Sequence, residues 1–144
     1  MLKTRLLHPD ILAALAASGH FSQVLIADGN FPVAGNRGPN ARTVHLNLAP
    51  GLVDAVSVLG VLLDTVPVQA ATVMQPPADF VPPIHAVYRE KLGPGCAWAE
   101  MERWAFYEKI VSPRTTLMIA TGEQQRFANL LLELGVVKLP AENF

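Results

Sequence analysis

The chain reads as an α/β protein, helices alternating with the strands of one central sheet. Three observations predict this. Segments with helical apolar spacing alternate with short, β-branched apolar runs, Gly, Pro, Asn and Asp cluster between them, and 144 residues with 51% hydrophobic content suit one compact core. No local signal specifies the order of the strands.

The first element spans about Pro9–Ser18. Pro9 fits a first helical turn, Ile11, Leu12 and Leu15 with the alanines make an apolar face, and Gly19 is expected to form a left-handed C-terminal cap. Lys3 and Arg5 ahead of leucines imitate a secretory leader, but His8, Pro9 and Asp10 break the apolar run, so the segment reads as structure. Gln23–Ala27 is apolar and β-branched, a buried strand that delivers Asp28 to its carboxyl end, where Asp28, Gly29 and Asn30 make a turn. Asn36–Asn40 is loop chemistry. Arg42–Leu48 alternates, with Val44, Leu46 and Leu48 on one face and His45 on the other, as in an amphipathic strand.

Leu52–Leu63 has helical spacing at Leu52, Val56, Leu59 and Leu63, and Val66–Gln75 reads as a strand with Pro67 near its start. Pro76, Pro77, Pro82 and Pro83 punctuate a surface excursion before a short helix over Ile84–Leu92. After the Gly93-Pro94-Gly95 turn, Trp98–Met101 is a further strand and Arg103–Ile110 a helix. Thr115–Thr121 is a strong strand closing at Gly122, whereas Asn129–Leu134 fits either a last strand or a short helix.

Composition excludes several functions. With 11 basic and 12 acidic residues the net charge is -1, which offers no basic footprint for nucleic acid. Charged residues are only 16%, below the usual quarter, so part of the surface is expected to be hidden in a self-assembly. The apolar stretches Val53–Leu63 and Leu130–Val137 are interrupted by Asp54, Gly60, Glu133 and Gly135 and fall short of the roughly 20 residues that cross a membrane. Cys96 stands alone, which rules out an internal disulfide and fits a reducing cytoplasm. There is no G-x-G-x-x-G, Walker or G-x-S-x-G sequence, and His8, His20, His45 and His85 form no H-x-x-x-H pair. No metal or other cofactor is expected.

Singly, the polar candidates have ordinary readings. His20, after Gly19, suits a helix end; Asp28 suits a turn that caps its own backbone; Arg103 suits pairing with Glu100 or Glu102; Phe106 and Tyr107 suit core and rim; Asn129 suits a cap. Together they carry more weight. Gly19–Pro32, G-H-F-S-Q-V-L-I-A-D-G-N-F-P, the segment R-W-A-F-Y-E-K at Arg103–Lys109, T-G-E at Thr121–Glu123, and F-A-N at Phe127–Asn129 ahead of L-L-L-E-L-G-V occur in this order. In these motifs, and over nearly its whole length, the chain resembles the L-fucose mutarotase and D-ribose pyranase family, with R-W-A-F-Y closer to the fucose branch.

The resemblance implies a single mutarotase-like domain over residues 1–144 in a ring homo-oligomer, often a decamer, that exchanges the anomers of a free monosaccharide without a cofactor. It implies His20 as proton donor and Asp28, Arg103, Phe127, Ala128 and Asn129 as sugar-binding positions. The expected substrate is L-fucose or a related aldose. A D-ribose pyranase, and a sugar-binding or transport-associated protein that lacks turnover, are the alternatives. Phe127 departs from the tyrosine typical of the family: it can stack on a sugar but offers no phenolic hydrogen bond, a role that Tyr107 is a candidate to fill.

Anomer exchange suits this residue set, because one group must take a proton from the anomeric hydroxyl while another protonates the ring oxygen. One geometric difficulty follows from spacing. The strand between His20 and Asp28 covers about 17 Å, more than one sugar. Either His20 folds back over its strand, or His20 of one chain faces Asp28 of another; the expectation is the shared site.

Overall fold

The computed structural model describes residues 1–142. Six segments are extended: β1 (Gln23–Ala27), β2 (Arg42–His45), β3 (Val68–Met74), β4 (Ala97–Met101), β5 (Thr115–Ala120) and β6 (Leu130–Leu134). They form one sheet in the order β2-β5-β1-β6-β3-β4. β1 and β2 both run parallel to β5, β3 runs parallel to β4, and β6 lies antiparallel between β1 and β3. Thus β1 to β5 share one direction and β6 alone opposes it. The carboxyl ends of five strands and the amino end of β6 therefore meet along one edge of the sheet.

Alternation along the central strands builds two apolar layers. Val24 and Ile26 of β1, with Leu117, Ile119, Leu130 and Leu132, face α1 (Pro9–Ala17), α2 (Ala55–Leu63) and α3 (Pro83–Leu92) through Ile11, Leu15, Leu59, Leu62, Ile84 and Tyr88. Leu25 and Ala27 point the other way, joining Met118 and Leu131 against Phe106 and Ile110 of α4 (Arg103–Ile110) and against Phe31 and Val33. β1 is buried along its whole length, as its unbroken apolar sequence predicts. Each fully buried leucine, isoleucine or phenylalanine contributes roughly 1.5–3 kcal/mol relative to exposure.

The α/β class and the order of elements follow the sequence reading, with three local corrections. Gly19 is not a left-handed cap: α1 ends at Ala17, Ser18 is extended at φ -90°, and its hydroxyl satisfies the Ala14 carbonyl at 2.7 Å, so no glycine cap is needed. The residue that enters the left-handed region here is Phe21, at φ +67°. The strand expected to reach Leu48 stops at His45, because Leu48 and Ala49 turn to bond the Leu52 carbonyl, which leaves Leu48 84% exposed. The helix expected from Leu52 begins at Ala55, since Asp54 caps it by accepting from the Ser57 N–H at 2.8 Å. The last ambiguous segment is a strand, paired on both sides.

Candidate active site

The sheet edge where the carboxyl ends meet holds a cavity of about 220 Å³. Asp28 reaches it from the end of β1, Met74 from the end of β3, Asn129 from the residue before β6, and Arg103 and Tyr107 from α4, which follows β4. Asn30, Phe31, Arg126 and Phe127 complete the wall. Arg103 and Tyr107 are four residues apart on one helix, so both point the same way.

Asp28 is 5% exposed. Its backbone N–H donates to the Asn129 Oδ1 at 2.8 Å, and its Oδ1 accepts from the Asn30 N–H at 2.9 Å. The second bond is the self-capping turn that its sequence context suggests. Burial pushes the Asp28 carboxyl above its ordinary value; the backbone N–H groups of Asn30, Phe31 and Ala128 pull it back in part, and the charge of Glu123 adds to the rise. Because Asn129 uses its oxygen on Asp28, its NH2 is the end available as a donor.

The Phe127-Ala128-Asn129 segment is held from α3. Phe127 has φ +62°, a left-handed conformation that costs a non-glycine residue about 1–2 kcal/mol. The His85 Nε2–H donates to the Phe127 carbonyl at 2.7 Å, and the Tyr88 hydroxyl donates to the Ala128 carbonyl at 2.7 Å. Burial, and then the charges of Glu123, Asp28 and Asp54, push the Tyr88 phenol up, so it remains a donor. Ala128 is fully buried and contributes its backbone.

A third support comes from Thr121-Gly122-Glu123. The Thr121 hydroxyl donates to the Ala27 carbonyl at 2.7 Å, and the Glu123 carbonyl accepts from the Gly29 N–H at 2.8 Å. The Glu123 carboxylate is buried, accepting from the Ala55 N–H at the start of α2 at 3.3 Å and from the Gln125 N–H at 3.0 Å. Gly122 cannot carry a side chain, because a Cβ there would lie 2.6 Å from the Leu52 carbonyl oxygen. This triplet clamps the turn that presents Asp28.

The cavity thus brings together Asp28, Arg103, Phe127 and Asn129, and with them Tyr107, all candidates from the sequence. Tyr107 is half-buried, edge-on to Phe31 at 5.3 Å between ring centres, while Phe106 is core. His20 is elsewhere. It sits before β1, exposed, stacked on Phe21 at 3.7 Å, with Nε2 3.0 Å from the Gln69 Oε1. Gln69 gives its NH2 to Glu133 at 2.6 Å, so its oxygen faces His20 and the His20 Nε2 carries the hydrogen. Sequence reasoning passed over Asn30, Phe31, Met74 and Arg126, and gave Glu123 no role. Asn30, Phe31 and Arg126 adjoin residues already singled out; Met74 arrives from across the sheet and has no local signal.

A small polar pocket at the carboxyl edge of a largely parallel sheet is the arrangement of α/β proteins that bind a small polar molecule. Comparison with known proteins is more specific: the chain belongs to the RbsD / FucU transport protein family, whose model matches residues 1–137. It is 37% identical to the fucose mutarotase of Homo sapiens, over 93% of this chain and 92% of that protein. It is 32% identical to the D-ribose pyranase of Pseudomonas syringae pv. tomato, over 95% of this chain and 99% of that protein. The structure of the fucose mutarotase from Streptococcus pneumoniae in complex with L-fucose superposes with a TM-score of 0.78 at 25% identity, covering 95% of this chain and 100% of that one. The family level of the sequence reading holds: these relatives are mutarotases and pyranases, isomerases of carbohydrates.

Proposed function

We propose that the chain is a monosaccharide mutarotase that interconverts the α and β anomers of L-fucose or a closely related aldose. The observation that carries this reading is the convergence of Asp28, Arg103, Phe127 and Asn129 in one cavity sized for a single sugar ring. Asp28, Arg103 and the Asn129 NH2 bind hydroxyls, and Phe127 covers the apolar face of the ring. Tyr107, which lines the same cavity, substitutes for the phenol that Phe127 lacks.

In the reaction the anomeric hydroxyl loses its proton, the bond from C1 to the ring oxygen breaks, and the ring oxygen is protonated, giving the open aldehyde. Rotation about C1–C2 and the reverse steps close the other anomer. Asp28, with its carboxyl raised by burial, is the better base for being nearer neutral pH. His20 is the acid. A positioned proton-transfer group contributes about 10²–10⁴-fold, and no cofactor is needed for the proton balance.

His20 reaches this chemistry from a second copy of the chain. Within one chain it lies at the far end of β1, roughly 17 Å of strand away from Asp28. Phe21 beside it is 47% exposed, and Leu48 and Leu52, between β2 and α2, are 84% and 55% exposed, apolar surface suited to assembly into a ring such as a decamer. Among the described residues no helix is long and apolar enough to cross a membrane; a cytoplasmic location is part of the proposal.

Exchange NMR on equilibrated anomers tests it directly. L-fucose anomers are expected to exchange faster with protein than without. Exchange of D-ribose pyranose and furanose forms alone selects the pyranase reading. Saturation transfer to the protein with no accelerated exchange for any aldose leaves a sugar-binding protein.

A further inference from the structure

We infer that the cavity selects aldoses that carry an anionic substituent, a carboxylate or a phosphate, through Arg126 acting with Arg103. The inference rests on the sugar-site reading above and concerns what distinguishes this chain's ligand within it.

Two guanidinium groups line the cavity and Asp28 is the carboxylate among its lining residues. Neither arginine is neutralised by an ion pair: among the described residues the ion pairs are Arg5 with Asp64 and Arg42 with Asp10. The acid next to Arg103 is already engaged, since the Glu102 Oε2 accepts from the Trp104 and Ala105 N–H groups at 2.9 and 3.1 Å as the cap of α4. Glu123 faces away into the clamp of the Asp28 turn. The side chains that line the cavity therefore carry a net positive charge whether or not Asp28 is protonated, with Glu123 acting on Asp28 from outside the lining.

Arg126, though exposed, stacks on an aromatic ring. Its guanidinium carbon lies 4.8 Å from the centre of the Phe80 ring, and Phe80 packs on Phe127 at 5.8 Å between centres. A guanidinium stacked on a ring keeps its N–H donors in its plane, free to bind a carboxylate or phosphate edge-on with little loss of rotamer freedom. A neutral sugar has no need of a second full positive charge, whereas an anionic group makes charge-assisted bonds about twice as strong as neutral ones. The phenylalanine at position 127 removes a neutral hydrogen-bonding group from the same wall. Together these shift the cavity from hydroxyl recognition toward anion recognition. Its volume, about 220 Å³, accommodates one sugar ring.

The test compares L-fucose, D-galacturonate and D-glucose 6-phosphate with the full chain in its native assembly. One charge-assisted bond implies about a tenfold or greater advantage in kcat/KM for anomer exchange of the anionic sugar. Faster exchange of galacturonate alone identifies a carboxylate ligand; faster exchange of the phosphate alone identifies a phosphate ligand. In Arg126→Gln the advantage is expected to collapse toward unity, in Arg126→Lys to be partly retained, and in Phe80→Leu to fall, because the stack is lost. Raising the salt concentration is expected to weaken the anionic sugar and to spare fucose. Acceleration of fucose with no preference for either anion overturns this inference and leaves the mutarotase reading standing. If no sugar is accelerated, the mutarotase reading falls, and saturation transfer decides this one: uronate or phosphate binding lost in Arg126→Gln supports it, and equal binding of fucose refutes it.

Discussion

The two ends of β1 are built differently. At the carboxyl end the central polar groups are buried and braced: Asp28 by Asn129 and Asn30, the Asn129 segment by His85 and Tyr88, the turn by Glu123. At the amino end His20 is exposed and held by one side-chain bond to Gln69 and a stack on Phe21. The difference teaches that one chain contains a preorganised pocket with His20 outside it, so on the proposed mechanism the acid–base pair is completed by a second copy. Rigidity belongs to the side that binds, and the exposed side is suited to be covered by another copy.

The sharpest way to break this comparison is to mix two inactive variants. His20→Ala and Asp28→Asn are each expected to lower anomer exchange by about 10²–10⁴-fold. Reassembled together from separated subunits, they recover part of the activity if a site takes His20 from one chain and Asp28 from another; no recovery at all sinks the shared site. His20→Ala also separates function from folding. Being exposed, it is expected to change stability by no more than about 0.5 kcal/mol in denaturant titration.

Removing a brace from the enclosed end acts on stability first. Tyr88→Phe leaves the buried Ala128 carbonyl without its donor and is expected to cost about 1–3 kcal/mol, with a weaker KM from displacement of Asn129. An unchanged unfolding midpoint would show that the segment is held by packing alone. A smaller expected effect than that of Tyr88→Phe concerns pH. Burial raises the Asp28 carboxyl, so the folded state binds that proton more readily than the unfolded chain. Stability therefore falls as pH rises through the raised value, and the loss persists above it. Asp28→Asn, inactive but relieved of that cost, is expected to be about 1 kcal/mol more stable than the parent at neutral pH. The gap closes as pH falls below the ordinary carboxylate range, because both side chains are then neutral. Melting curves at several pH values check the sign.

Much of the site was legible because its residues sit beside local signals. Asp28 follows a buried strand and opens a turn, Arg103 starts a helix four residues before Tyr107, and Asn129 precedes a strand, so each had a place in an ordered motif. Arg126 adjoined such a motif and Glu123 stood inside one, yet neither had an assigned role. What matters about Arg126 is its stack on Phe80, with no ion pair to it among the described residues, and what matters about Glu123 is a helix start sixty-eight positions away; neither is a property of neighbouring residues. Gly19 misled for a related reason, since Ser18 did locally what the glycine was expected to do.

The amino-acid sequence by itself determined the elements, their alternation and the two apolar faces of β1, because periodicity of side chains along a segment is a local property. It also determined that His20 and Asp28 stand a strand apart, because the length of an extended chain is set by covalent geometry. Only the tertiary structure decided that β6 runs against its neighbours, bringing Asn129 to the same edge as Asp28 and Met74. Strand order and direction depend on which faces bury each other across the whole chain. That same choice brought Arg126, ahead of β6, to the cavity that Asp28 and Arg103 line.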